Sequence, residues 1–134
     1  MRLILALTLC LPLFAADKPV PAGPLKAFRG PEGEVIGMVE VNGSKEMLVH
    51  FKNIGGEMEG QSRLYFFEDH GSGKKGVYFN KKKGSKTERY YILSARNGHW
   101  EFYNPARPSE IKIAYSEKET EKMKLEDVLK AYKP

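Results

Sequence analysis

From Glu34 onward the chain is cut by turn-forming residues into short apolar and aromatic runs, a pattern that restricts it to antiparallel β structure. The runs span 34–41, 45–52, 63–68, 76–80, 87–96, 99–104 and 110–115, which predicts seven strands. Between them stand Asn42-Gly43, Gly55-Gly56, Gly71-Ser72-Gly73, a lysine-rich loop at Gly84, Asn97-Gly98, and Pro105 with Pro108. Asn-Gly is the strongest short hairpin signal, because both central residues of a type I′ turn need positive φ. With Asn97 and Gly98 in those positions, Arg96 lies opposite His99, Ala95 opposite Trp100, Leu93 opposite Phe102 and Ile92 opposite Tyr103. Strict alternation then puts Tyr91, Leu93, Trp100 and Phe102 on a core face. Tyr90, Ile92, Ser94, His99, Glu101 and Tyr103 fall on a mixed, wetter one. In the first hairpin Ile36, Met38, Met47, Val49 and Phe51 share one face, while Val35, Val39, Leu48 and His50 share the other. Both faces are largely apolar, so a second layer is expected to cover the far side.

The period changes at the C-terminus. Ser116 followed three residues later by Glu119 reads as a capping box, and Met123, Leu125, Val128, Leu129 and Tyr132 then recur at helical spacing. This predicts one amphipathic helix. Its other face mixes Lys118, Lys122, Lys124 and Lys130 with acids, as a solvated face does. Residues 17–33, with four prolines and three glycines, have no apolar period and read as a tether or extended lead-in. The expected fold is mainly β: an antiparallel β-sandwich or small open barrel of six to eight strands with one C-terminal amphipathic helix. Residues 34–134 would form a single domain.

Ahead of the lead-in, Met1 and Arg2 precede an apolar run from Leu3 to Phe14 that no charge interrupts and that ends on Ala15-Ala16, the order of a secretory signal. Such a run is shorter than the roughly twenty residues a membrane-crossing helix requires. A signal over residues 1–16 is therefore expected, with a mature start at Asp17, or at Gly23 if cleavage follows Ala22. The only cysteine, Cys10, lies within that run behind Leu9, so it reads as an ordinary apolar residue and not a lipid attachment point. Without it no disulfide can staple the exported chain, which favours a bacterial periplasmic or secreted setting.

No stretch carries a catalytic, cofactor or metal signature. His50, His70 and His99 lack the paired spacing of zinc ligands, and Glu68-Asp69-His70, the nearest approach to a metal patch, alternates faces along a strand. The serines lack a strand-turn-helix elbow. Gly71-Ser72-Gly73-Lys74-Lys75-Gly76 runs into Val77-Tyr78-Phe79, a strand, so it reads as a hairpin loop and not a phosphate loop. A nuclease-like set of Glu88, Arg89 and His99 fails on register: Glu88 lies eight residues before the partner of His99, roughly 26 Å away at about 3.3 Å per residue. Only His99 and Glu101, two residues apart on one face, could act as an acid-base dyad, as in a small secreted hydrolase or nuclease.

Charge is the remaining signal. Of a net charge of +5, the segment Lys74 to Arg89 holds seven basic residues against the single acid Glu88. Lys81, Lys82 and Lys83, joined by Lys74, Lys75 and Lys86 on turns read as neighbours, predict an anion-attracting surface, with Tyr65, Tyr78, Tyr90 and Tyr91 offering ring faces nearby. The expected protein is a small exported, non-enzymatic binding module without cofactor. Its partner would be a protein or anionic polymer at the cell envelope, with nucleic acid a less favoured ligand. Candidate binding residues are Lys74, Lys75, Lys81, Lys82, Lys83, Lys86, Tyr90, His99, Glu101 and Tyr103. A structural accessory domain of an envelope complex is the other non-enzymatic reading.

Overall fold

Eight strands, each paired antiparallel with its neighbour in sequence, close into a barrel in the computed structural model, which describes residues 18–134. The expected signal and Cys10 lie outside the described residues. The strands are β1 Lys26–Arg29, β2 Val35–Val41, β3 Glu46–Lys52, β4 Ser62–Gly71, β5 Lys74–Lys83, β6 Lys86–Arg96, β7 His99–Phe102 and β8 Ile111–Tyr115. Helices α1 (Glu117–Lys122) and α2 (Leu125–Lys130) follow. No helix among the described residues is long and apolar enough to cross a membrane.

Each of the seven expected runs is a strand, β2 to β8, and the Asn97-Gly98 hairpin has the expected register: Arg96 pairs with His99, Ala95 with Trp100 and Leu93 with Phe102. Both turn residues have positive φ, 53° and 81°. Ser72 and Gly73 turn β4 into β5 the same way, confirming a hairpin loop there.

The barrel interior is filled by side chains. Ile36, Met38, Met47, Val49 and Phe51 line it as the alternation predicts, joined by Val77, Leu93 and Phe102. Eight strands enclose just enough width for such a filling. Phe51 and Phe102, both fully buried, stack with ring centroids 5.8 Å apart at its centre. On the outside of β2 to β4 lies a second core of Val39, Val41, Leu48 and Val128. Met123, Leu125, Leu129 and Tyr132 pack against it, so the two-sided apolar hairpin finds its second layer in the C-terminal helices.

Five expectations about the fold are corrected. The sheet is a closed barrel, neither a sandwich nor open. Its extra strand, β1, comes from the segment read as a tether: Ala27 is fully buried, Phe28 nearly so, and β1 pairs with β2 from Lys26↔Met38 to Arg29↔Val35. Upstream, Ala22 N–H donates to Glu40 O (2.7 Å) and Asn42 N–H to Val20 O (2.8 Å), so the lead-in is bound along the end of β2. The C-terminal helix is two short helices. Ser116 caps α1 as predicted, accepting from Glu119 N–H at 3.1 Å, but Met123 and Lys124 are extended and break the run. Met123 instead lays its sulfur over Gly37, where a Cβ would have no room. The fourth correction concerns Trp100, which faces inward opposite Ala95 yet is only partly buried, its ring edge against Phe28 at 6.1 Å.

One bulge changes the faces of β6. Val77 pairs with Leu93 and Tyr78 with Tyr91, which leaves Ile92 unpaired between them. The extra residue shifts the alternation by one. Ile92 turns inward beside Leu93 and is 1% exposed, whereas Tyr91, expected in the core, moves outward to 41% exposure.

The barrel closes over a short seam. β1 meets β8 only at Phe28↔Tyr115 and Arg29↔Ala114. Helix α1 straps this joint: Ser116 N–H donates to Ala27 O (2.9 Å), Ala27 N–H to Thr120 Oγ1 (2.8 Å), and Arg29 pairs with Glu119 at 3.5 Å.

Candidate functional site

Strands β4, β5 and β6 are the longest of the sheet, and their shared outer face carries a row of rings of which Phe66 and Tyr91 are exposed and Tyr78 partly so. Register places Phe66 opposite Tyr78 and Tyr78 opposite Tyr91. Their centroids lie 5.5 and 5.6 Å apart, so three rings cross three strands in contact. Arg89, on the same face by alternation, lays its guanidinium 3.9 Å from the Tyr78 ring centroid.

Glu68 organises the charged side of this row. It accepts from Arg89 (2.7 Å) and from the Tyr91 hydroxyl (2.8 Å), and His70 Nε2 lies 3.0 Å from it. Burial acts to raise its pKa, but the hydrogen bonds from His70 and Tyr91 and the Arg89 charge together hold the carboxyl below its ordinary range. The hydrogen bond with Tyr91, then the Glu68 charge, strengthens the hold of Arg89 on its proton. Gly76 makes the cluster possible, because a Cβ there would meet the Tyr91 ring at 2.6 Å. Asp69 turns away to Gly71 N–H (2.9 Å) and Lys75 (4.0 Å). Among the described residues no three His, Cys, Asp or Glu side chains gather as a metal site.

The expected lysine cluster is divided. Lys74 and Lys75 open β5 while Lys81 to Lys83 close it, and Lys75 and Lys82 are separated by roughly 23 Å of strand. The turns read as neighbours are at opposite ends of the ribbon: Gly73 packs against Asn97, whereas Lys83 and Lys86 face each other across the other turn. Alternation puts Lys82 on the outer face with Tyr78, and Lys81 and Lys83 on the opposite side with Phe79. Tyr90 is on that side too, stacked on Phe79 at 5.6 Å and donating to Glu88 (2.8 Å).

Around Lys74 and Lys75 a shallow outer cleft of about 530 Å³ also takes in Glu68, Tyr91, Arg96 and Tyr103. Burial, then the charges of Glu101 and Glu110, raises the pKa of Tyr103. His99 is exposed on the rim of a separate surface depression, and Glu101 pairs across the sheet with Ser94 and Lys112. Among the described residues no hydrogen bond joins His99 to Glu101. Thus Lys74, Lys75 and Tyr103 come together, and His99, Glu101, Tyr90 and the lysine tip do not join them. Sequence reasoning missed Phe66 and the Arg89–Glu68 pair; the signal available was the i, i+2 spacing of Phe66 with Glu68 and of Arg89 with Tyr91.

A second polar cluster lies under the C-terminal segment. Ser62, fully buried, donates to Val128 O (2.6 Å), and His50 Nδ1 is 2.8 Å from Ser62 Oγ. Since the serine proton is spent on Val128, His50 is assigned the Nδ1–H tautomer and donates to Ser62. Ser62 N–H also donates to Ala131 O (2.9 Å) and Lys133 N–H to Ser62 O (2.9 Å), which clasps the segment to β4. Burial, followed by the Lys52 charge, lowers the pKa of His50, with Glu59 and Asp127 opposing. The unfolded chain therefore takes up this proton near about 6.5 and the folded one only at lower pH. Stability is complete above about 6.5 and falls as pH drops through the folded value. Thermal midpoints from pH 8 to 5 should fall across this window and flatten in His50→Asn; an unchanged slope would remove His50 as the cause.

No protein-family model, curated protein or solved structure matches this chain.

Proposed function

We propose that the protein is a small exported, non-enzymatic binding module of the bacterial envelope or secretome, and that it docks an anionic polymer on the outer face of β4 to β6. The observation that carries this reading is the outward-facing row Phe66, Tyr78 and Tyr91, exposed at both its ends, with Arg89 over its middle ring. Rings left facing solvent contribute less to folding than the same rings would in the core. They offer flat surfaces on which the sugar faces or bases of a polymer stack, and the nearby cations meet its anionic groups. Phe66, 46% exposed, and Tyr91, 41% exposed, are joined through Tyr78 into one contiguous aromatic patch of the kind that supports an interaction surface. An acidic glycan is the polymer that suits an envelope setting, and the signal read at residues 1–16 supports export.

The test is binding of the exported form to polygalacturonate over a range of salt, with a neutral glucan as control. Affinity should fall steeply with salt and the neutral polymer should not bind. Lys74→Gln, Lys82→Gln and Arg89→Gln should each flatten the logarithmic salt slope by roughly 0.7 to 0.9. Lys81→Gln, on the other side of the ribbon, should leave it unchanged. Equal binding of the neutral glucan, or a slope untouched by the outer-face variants, would refute the assignment.

A further inference from the structure

Away from the polymer-facing surface, a cleft of about 980 Å³ lies between the β3–β4 loop, the first half of β4, the inner side of β5, the β7–β8 loop and the segment from Tyr132 to Pro134. That volume is within the range of small-molecule sites. Met58, Tyr65, Phe79 and Ile92 contribute apolar wall, and Arg63 and Lys81 bring positive charge to it.

Its frame is organised in the absence of ligand. The Glu59 carboxylate gathers the N–H groups of Asn53 (2.8 Å), Ile54 (2.7 Å) and Gly55 (2.7 Å), folding the β3–β4 loop around one side chain. Asn104 ties the facing loop to it, donating to Ile54 O (3.4 Å) while accepting from Ala106 N–H (3.0 Å). Such cross-bracing holds a cleft open at low entropic cost to a ligand.

Within this frame the polar groups are incompletely used. Tyr65 is 7% exposed, yet its hydroxyl donates only to the Met58 sulfur at 3.8 Å, a weak acceptor. Burial pushes its pKa up to about 12, so it stays a donor at any physiological pH. Arg63 is bonded through Nε and Nη2 to Gln61 (3.1 and 2.9 Å), which leaves Nη1 without a partner among the described residues. Lys81 makes no side-chain hydrogen bond or ion pair among them. Arg63, Lys81 and Lys133, with Glu57 the only acidic side chain among the described residues lining the cleft, face an apolar wall and call for an acceptor that carries negative charge and an apolar body.

We propose that this cleft binds a monocarboxylate with a long apolar tail, the chemistry of a fatty acid, with the tail along Met58, Phe79 and Ile92 and the carboxylate held by Arg63, Lys81 and the Tyr65 hydroxyl. The site is separate from the outer face of the ribbon and stands whether or not that face binds a polymer.

The experiment is calorimetric titration of the exported protein with laurate below its micelle concentration, beside dodecyl maltoside, which has the same tail on a neutral head, and acetate, which has the head alone. Laurate should bind one to one, at least tenfold more tightly than dodecyl maltoside, and acetate should not saturate. Lys81→Gln should weaken laurate about tenfold without moving dodecyl maltoside, and Phe79→Ala should weaken both. Amide shifts on laurate addition should concentrate at Met58, Tyr65 and Ile92 and spare Phe66 and Tyr78. No saturable laurate binding, equal affinity for the neutral amphiphile, or indifference to Lys81→Gln would overturn the proposal.

Discussion

Phe102→Ala should cost about 3–5 kcal/mol of folding stability, a large share of the roughly 5–15 kcal/mol that holds a domain of this kind together. Phe102 is fully buried on β7, stacks on Phe51, and sits between Leu93 and Ile111 in the ladder. Phe51 in turn meets Tyr65 edge-on at 6.4 Å, so one deleted ring opens a void that touches both halves of the barrel. Little can collapse into it, because closed strands cannot approach one another without breaking their ladder. Denaturant unfolding should show a lowered midpoint at unchanged slope. Phe66→Ala, the removal of an equal ring from the outer face, should cost under about 1 kcal/mol. Comparable losses for the two variants would mean that the barrel is turned inside out relative to this description.

The reverse contrast is expected for binding. Phe66→Ala combined with Tyr78→Ala should reduce affinity for polygalacturonate by about 2–6 kcal/mol, or roughly 30-fold to 10,000-fold and more, if each ring contributes the 1–3 kcal/mol seen when bases stack on aromatic side chains. Salt dependence should survive, since the lysines remain. The double variant should stay folded, as both rings lie outside the barrel. Undiminished affinity in the folded double variant would leave the basic groups as the whole of the interaction.

Period-two alternation and the Asn97-Gly98 turn made β2 to β8 and the last hairpin register readable directly from the residues. β1 escaped because it has four residues between Pro24 and Gly30, too few to show a period. Its strand character comes from pairing with β2 and β8, which no local pattern records. Closure of the sheet is a long-range property of the same kind. The break between α1 and α2 is set by Met123 seating over Gly37, a contact between residues far apart in sequence. For the rings of the site, the error comes from the bulge: Ile92 is an ordinary strand residue by type, and nothing near it announces the irregularity that exchanges the faces of Tyr90 and Tyr91. Charge was legible as composition but not as place, since a ten-residue strand separates lysines that look adjacent when its ends are both read as turns.

The unequal lengths of the ladders also set an order of opening. β5 and β6 stay paired from Lys75 to Lys83, while β1 and β8 meet at two positions under the strap of α1. Amide hydrogens around Phe28 and Tyr115 should therefore exchange with solvent through a partial unzipping well below the free energy of global unfolding, and those around Val77 and Leu93 only with it. Exchange at the seam would expose the strands one edge at a time, giving a barrel without free edges in its ground state a transient pair of them, β1 and β8, each ready to pair with the same strands of another molecule.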